Sequence, residues 1–144
     1  MTRLLDVNAL VALAWPNHVH HDAVQSWFAA ARKSGWATCP LTEAGFVRVS
    51  CNPSAVKQSV TPSEAIVLLG RLRRLESHAF WSMGRSVTAL PPEILARIQG
   101  YRQITDAVLL TLAAERGGQL ATLDAGLASL VAKAQLSSIC AIPV

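Results

Sequence analysis

The chain has 144 residues, 51% hydrophobic and 15% charged, enough for one domain with a real core and too apolar for a disordered segment. Thirteen basic residues face nine acidic ones, for a net charge of +4, and ten of the thirteen are arginine, whose planar fork suits phosphate. Cys39, Cys51 and Cys140 are odd in number and lack C-x-x-C spacing, which argues against a disulfide framework and against a structural zinc site. No run reaches the length of a membrane span, and Asp6 and Asn8 interrupt the only N-terminal apolar stretch, so a soluble, cytoplasmic protein without a signal peptide is expected.

The first predicted element is a strand, Arg3-Leu4-Leu5, apolar enough to be buried on both faces of a parallel sheet. Asp6 falls at its C-terminal edge, where open α/β sheets place ligands, although Asp6 or Asn8 would also serve as a helix cap. Ala9 to Trp15 reads as a short helix stopped by Pro16. His18, His20 and His21 suggest a metal, but Val24, Trp27, Phe28 and Ala31 follow His20 at helical spacing, so His20 is expected to pack at the head of that face. Trp36 to Cys39 reads as a second strand, and Leu41 to Val49 as a helix started near Pro40, with Glu43 in its first turn. After a loop at Asn52-Pro53-Ser54, Thr61-Pro62-Ser63-Glu64 has the pattern of a capped helix start, and the apolar periodicity runs to Leu75.

Arg71, Arg73 and Arg74 lie near the end of that helix, where they complement its dipole or hold phosphate. His78 to Trp81 reads as a third strand, and Pro91-Pro92-Glu93 opens a short helix to about Gln99. Between Arg71 and Arg102 stand six arginines and two acids, an excess equal to the net charge of the whole chain, which favours a basic patch. A helix opening at Ile104, with Thr105 as cap, runs to Gly117-Gly118. Gln119 to Leu123 is a strand with Asp124 at its C-terminal edge, Ala125 to Ala134 a last helix, and Ser138 to Ile142 a final strand. This alternation implies a single α/β domain over residues 1–144 with a mostly parallel sheet and right-handed crossovers.

Asp6, Glu43, Asp106 and Asp124 share an address: two end strands and two begin helices that follow strands or loops. In a parallel α/β sheet those positions lie on one edge, so the four carboxylates are expected to converge in one cleft. Crowded carboxylates repel, and an all-oxygen donor set suits a hard cation such as Mg²⁺ or Mn²⁺, which can activate water against a phosphodiester. Each acid taken alone has a capping or dipole role as its alternative.

The blocks Asp6-Val7-Asn8-Ala9-Leu10, Leu41-Thr42-Glu43-Ala44-Gly45-Phe46-Val47-Arg48, Thr105-Asp106-Ala107 and Ala121-Thr122-Leu123-Asp124, in this order, resemble the PIN-domain ribonucleases and, within them, the VapC toxins of bacterial toxin–antitoxin pairs. The resemblance implies a three-layer α/β/α sandwich and a metal-dependent endoribonuclease that cuts structured RNA (tRNA or rRNA) to stop translation and growth. It makes Asp6, Glu43, Asp106 and Asp124 the metal-binding and catalytic acids, with Asp6 and Asp106 the closest ligands to Mg²⁺ or Mn²⁺. It casts Asn8 and Thr122 as supporting residues, and Arg71, Arg73, Arg74 and Arg102 are candidates for RNA contact. It implies a VapB-type antitoxin as partner, a homodimer, and a heterotetramer or larger assembly with the antitoxin. It does not extend to the further acid that some relatives carry shortly after the last Asp. Two other readings stand beside it. A non-catalytic RNA- or partner-binding module would use the arginines without needing all four acids. A phosphatase with a first-strand aspartate nucleophile needs a second Asp where Asn8 stands.

Overall fold

The computed structural model describes residues 1–144, the side chain of Ala134 excepted. Five short strands form one sheet: β1 (Arg3–Leu5), β2 (Trp36–Thr38), β3 (His78–Phe80), β4 (Gln119–Thr122) and β5 (Ile139–Ala141). Their order is β3-β2-β1-β4-β5, and all four pairings are parallel. Each connection is therefore a crossover, and all strands end on the same edge. The helices are α1 (Val7–Ala14), α2 (His21–Ala31), α3 (Pro40–Ser50), α4 (Pro62–Arg73), α5 (Pro92–Leu95) and α6 (Ile104–Glu115).

Successive strand residues point to opposite faces, and this alternation divides the interior into two cores. Leu5 and Ala121 face a layer built from α1, Val24 and Phe28 of α2, Phe46 of α3 and Leu69 of α4. Leu4 and Leu120 face the opposite layer, where Leu109, Leu110 and Leu112 of α6 pack with Leu127 and Leu130. The result is the three-layer α/β/α sandwich. Trp36 anchors the first core: it is 1% exposed, meets Phe28 edge-on at 5.1 Å between ring centroids, and donates from Nε1 to the Glu76 carbonyl at 3.1 Å.

Capping explains most element boundaries. The Thr61 hydroxyl accepts from the Glu64 N–H at 3.2 Å while the Glu64 carboxylate accepts from the Thr61 N–H, the capping box expected at the start of α4. Gly35 enters β2 at φ +98°, a conformation that side chains disfavour. At Gly45, a Cβ would sit 2.5 Å from Val7 Cγ2, so the absent side chain lets α3 close on the first turn of α1.

Several boundaries differ from the sequence reading. The strands are shorter at their ends, because Cys39 becomes the cap of α3 and Trp81 and Leu123 already lie past the strand ends. The first helix begins at Val7 rather than Ala9, since Asp6 caps it, and α5 stops at Leu95 rather than near Gln99. Thr105 is not a cap: a 3-10 turn at Tyr101–Gln103 leads directly into α6, whose cap is Gln103. Ala125 to Ala134 is not one α-helix. Ala125–Leu130 is a 3-10 segment, Val131 is extended, and a second 3-10 segment covers Lys133–Ser138. Leu127 and Leu130, three apart, fall on one face of a helix with three residues per turn, and both are buried.

The histidines of the Asn17–Asp22 stretch serve the packing of α2. His20 is its cap residue, the His18 Nδ1 accepts from the His20 N–H at 3.0 Å, and the His21 Nδ1 lies 2.8 Å from the Ala12 carbonyl of α1. Among the described residues, no helix is long and apolar enough to cross a membrane.

Candidate active site

The strand ends and helix starts place Asp6, Glu43, Asp106 and Asp124 on the C-terminal edge of the sheet, at its centre. Asp6 follows the central strand β1 and caps α1: its Oδ1 accepts from the Val7 N–H at 2.8 Å. Its Oδ2 accepts from the Thr122 hydroxyl at 2.8 Å, so the second oxygen is tied to the neighbouring strand β4. The capping and site readings of Asp6 are thus compatible in one side chain. Thr122 is buried, and its Oγ1 also accepts from the Asp124 N–H at 3.0 Å. Asn8 works on the same junction from α1, with its Oδ1 accepting from the Leu123 N–H at 3.3 Å. These two polar side chains fix the backbone on which Asp124 stands. Asp124 is exposed and caps the 3-10 segment after it, its Oδ1 accepting from the Gly126 N–H at 2.8 Å. Asp106 enters from the other side, in the first turn of α6.

The charges of neighbouring acids reach both Asp106 and Asp6. Burial, then the charges of Asp6 and Asp124, push the Asp106 carboxyl up to about 6. Burial also raises Asp6; the hydrogen bonds from Thr122 and the Val7 N–H oppose that shift, and the Asp124 charge adds to it. Burial is the larger cause in both, and repulsion between neighbouring carboxylates adds to it.

Glu43 has different partners. Its Oε2 accepts from the Thr38 hydroxyl at 2.6 Å, and its Oε1 lies 3.6 Å from a guanidinium nitrogen of Arg73. Thr38 is fully buried, and its Oγ1 is 2.8 Å from His78 Nε2. Because the hydroxyl proton goes to Glu43, the imidazole donates from Nε2 to the Thr38 oxygen. Burial and the Arg73 charge lower the His78 pKa, against the smaller pull of Glu43, so the ring is neutral at neutral pH. Thr38 and His78 carry no motif. The only hint in the sequence is that each lies on a strand next to the acidic edge. Among the described residues, no three His, Cys, Asp or Glu side chains are drawn together closely enough to hold a metal ion as a group.

Comparison with known proteins identifies the family of the chain. The PIN domain model matches residues 3–133. Ribonuclease VapC39 of Mycobacterium tuberculosis is 47% identical over 128 residues, covering 89% of this chain and 92% of the relative. The chain belongs to the VapC ribonucleases of the PIN-domain family. Ribonuclease VapC38 of the same organism is 50% identical over 127 residues, 88% of each chain. Among solved structures, this VapC-family chain shares its fold with Mycobacterium tuberculosis VapC20, a sarcin-ricin loop cleaving toxin (TM-score 0.63, 12% identity, 88% of this chain and 93% of that one). It also matches VapBC2 from Rickettsia felis, solved with a DNA fragment of the promoter (TM-score 0.62, 15% identity, 90% and 93%).

The arginines of this VapC-family chain do not gather in one patch. Arg73 reaches Glu43 and lies 5.1 Å over the Phe80 ring. Arg102 lies 5.7 Å from the Tyr101 ring centroid, just before α6. Arg85 pairs with Glu115 at the far end of α6, about 18 Å from its start at the rise of an α-helix. Arg71 and Arg74 are exposed at the end of α4, and Arg71 borders a groove with Trp15, Val67 and Leu68.

The Thr122 contact predicts a graded effect. In Thr122→Val, the Asp6 carboxylate loses its buried donor, and its pKa rises further because the hydrogen bond opposes the effect of burial. RNA cleavage is expected to fall about tenfold at neutral pH, with Thr122→Ser close to wild type and the acid limb of the pH–rate profile displaced upward in the valine variant. An unmoved acid limb would show that the hydroxyl does not act through Asp6.

Proposed function

We propose that this chain is the toxin of a toxin–antitoxin pair and that it hydrolyses RNA phosphodiester bonds at the acidic edge of its sheet. The observation that carries the reading is the placement of Asp6, Asp106 and Asp124 together at one sheet edge, with Asp6 and the Asp124 backbone tied to the same Thr122 hydroxyl and with burial, then the charges of Asp6 and Asp124, raising the Asp106 carboxyl to about 6. Such a set suits a divalent cation. Its donors are carboxylate oxygens, and a cation would offset the repulsion that raises Asp106. Asp6 and Asp106 would hold Mg²⁺, with Mn²⁺ as a substitute, and Asp124 and Glu43 would complete the shell directly or through water. When bound, the ion supplies charge neutralisation at the phosphodiester and a more acidic water.

The chain's own groups do the rest. Thr122 and the Val7 N–H keep the Asp6 carboxylate fixed and oppose the rise in its pKa that burial causes. Asn8 and Thr122 fix the backbone of Asp124. Thr38, held by neutral His78, aims the Glu43 carboxylate. Asp106, raised in the metal-free chain by burial and by its acidic neighbours, would release its proton on binding the cation and act as an ionised ligand. Arg73, beside Glu43, is placed to hold a phosphate flanking the cut, and Arg102 another; such contacts position RNA without reading it.

The substrate class is structured RNA, tRNA or rRNA, in keeping with the sarcin-ricin loop that VapC20 cleaves. The partner is a VapB-type antitoxin, supported by the VapBC2 structure, and the working unit a cytoplasmic homodimer that joins the antitoxin as a heterotetramer or larger. The whole of residues 1–144 acts as a single domain in this reading. The test is incubation of total cellular RNA with purified protein plus Mg²⁺ or Mn²⁺, or EDTA, wild type beside Asp6→Asn. Discrete fragments that require both the cation and Asp6 are expected. Absence of cleavage by folded, antitoxin-free protein would favour a non-catalytic RNA- or partner-binding module.

A further inference from the structure

Two exposed aromatic rings flank the acids, one on each side. Phe80 is the last residue of the edge strand β3, two strands from Asp6, about 10 Å away at the usual strand spacing. Its ring is 44% exposed, and the Arg73 guanidinium that pairs with Glu43 lies over it at 5.1 Å. Tyr101 is 81% exposed in the 3-10 turn that leads into α6, five residues before Asp106. The Arg102 guanidinium lies 5.7 Å from its ring centroid, with Nε 3.3 Å from the phenol oxygen. This turn also touches the segment after Asp124, through Gln103 and Ser129.

Neither ring closes a core, and each carries a guanidinium within cation–π reach, so that an aromatic face and a positive charge are presented together at the surface. The pairing of π-face and positive charge matches an unpaired nucleotide, whose base stacks on the ring while its phosphate meets the arginine. The same surface matches duplex RNA poorly, because bases in a helix have no free face to offer. The two pairs share the sheet edge that bears the acids, so a strand lying on both would cross them.

We propose that Phe80 and Tyr101, each with its stacked arginine, are platforms for unpaired RNA bases on either side of the acidic cluster, so that the chain grips looped rather than paired RNA. This rests on the ribonuclease reading of the acids. Phosphate contacts alone would tether any RNA; the platforms make the choice of a loop.

The test uses the full chain as Asp6→Asn, to stop cleavage, and two probes: an RNA hairpin with 2-aminopurine in its loop and a blunt duplex of the same stem. The hairpin is expected to bind more tightly and its fluorescence to be quenched on binding. Tyr101→Ala and Phe80→Ala are each expected to weaken hairpin binding about tenfold and to remove quenching, with the duplex unaffected and Tyr101→Phe close to the parent. Equal loss on hairpin and duplex, or retention of affinity and quenching in both alanine variants, would overturn the platforms. So would unchanged RNA binding with loss of binding to the co-expressed antitoxin, which would assign the rings to that partner. Cleavage of cellular RNA by the chain with Asp6 intact is read in parallel. If it proceeds while the platforms fail, only this inference falls; if it is absent, the ribonuclease reading fails instead.

Discussion

Asp106→Asn is expected to lower RNA cleavage by about 10³-fold or more, on the scale of losing one pre-organised electrostatic group, and at the same time to make the metal-free protein more stable. The second half follows from the sign of the pKa shift. The Asp106 carboxyl stands at about 6 in the folded chain against an ordinary value of 3.8. Between those values the folded chain holds a proton that the unfolded chain has released. The stability associated with that proton is complete below about pH 4 and lost as pH rises through about 6. An asparagine has no charge to lose, so the metal-free variant keeps at neutral pH what the parent gives up. The group is only half-buried, so solvent screening reduces the effect; a melting temperature higher by about 3 °C at pH 7.5 is expected, with the gap closing toward pH 4. Added Mn²⁺ should raise the melting temperature of the parent and leave the variant almost unmoved. A variant that loses activity but gains no metal-free stability would show that Asp106 is not crowded by its neighbours.

Trp36→Ala is expected to have the largest effect on the fold. The indole is buried against Phe28 and His78, and its removal opens a large cavity and orphans the Glu76 carbonyl. Truncations of this kind cost about 3–5 kcal/mol, a large share of the stability of a domain this size. A fall in melting temperature of roughly 10 °C or more is expected in calorimetry. Trp36→Phe should retain most of the packing while losing the hydrogen bond. The change also reaches the site, because the indole backs the His78 ring at 4.6 Å and His78 holds Thr38 against Glu43. A variant melting within about 2–3 °C of the parent would place the core's centre of gravity elsewhere.

The acids are legible in the sequence because their placement follows from short-range rules. An apolar triplet that ends in Asp, or an acid one turn into a helix, names a sheet edge without any knowledge of distant partners. The capping box at Thr61 and Glu64 is legible for the same reason. What depends on tertiary contacts is not. Nothing local distinguishes the 3-10 segments after Asp124 from an α-helix; burial of Leu127 and Leu130 against α6 decides it. The turn at Tyr101–Gln103 starts α6 before Thr105 can cap it. The arginine excess between Arg71 and Arg102 is real in sequence but divided in space, since Arg73, Arg85 and Arg102 find Phe80, Glu115 and Tyr101 on separate elements. Thr38 and His78 give no local signal because their link crosses from one strand to the next.

The pairing of β1 with β4 has a consequence for the birth of the protein. Leu5 finds its partner at Ala121, and Asp6 meets its hydroxyl donor 116 positions further along. The ribosome therefore releases the first acid long before the residues that complete the cluster. A chain cut short before β4 carries Asp6, Glu43 and Asp106 but lacks both the Thr122 hydroxyl that holds Asp6 and the last acid, Asp124, so its cluster is incomplete. For a chain of the VapC ribonuclease family, this topology delays the completed acid cluster until the ribosome that makes it has nearly finished.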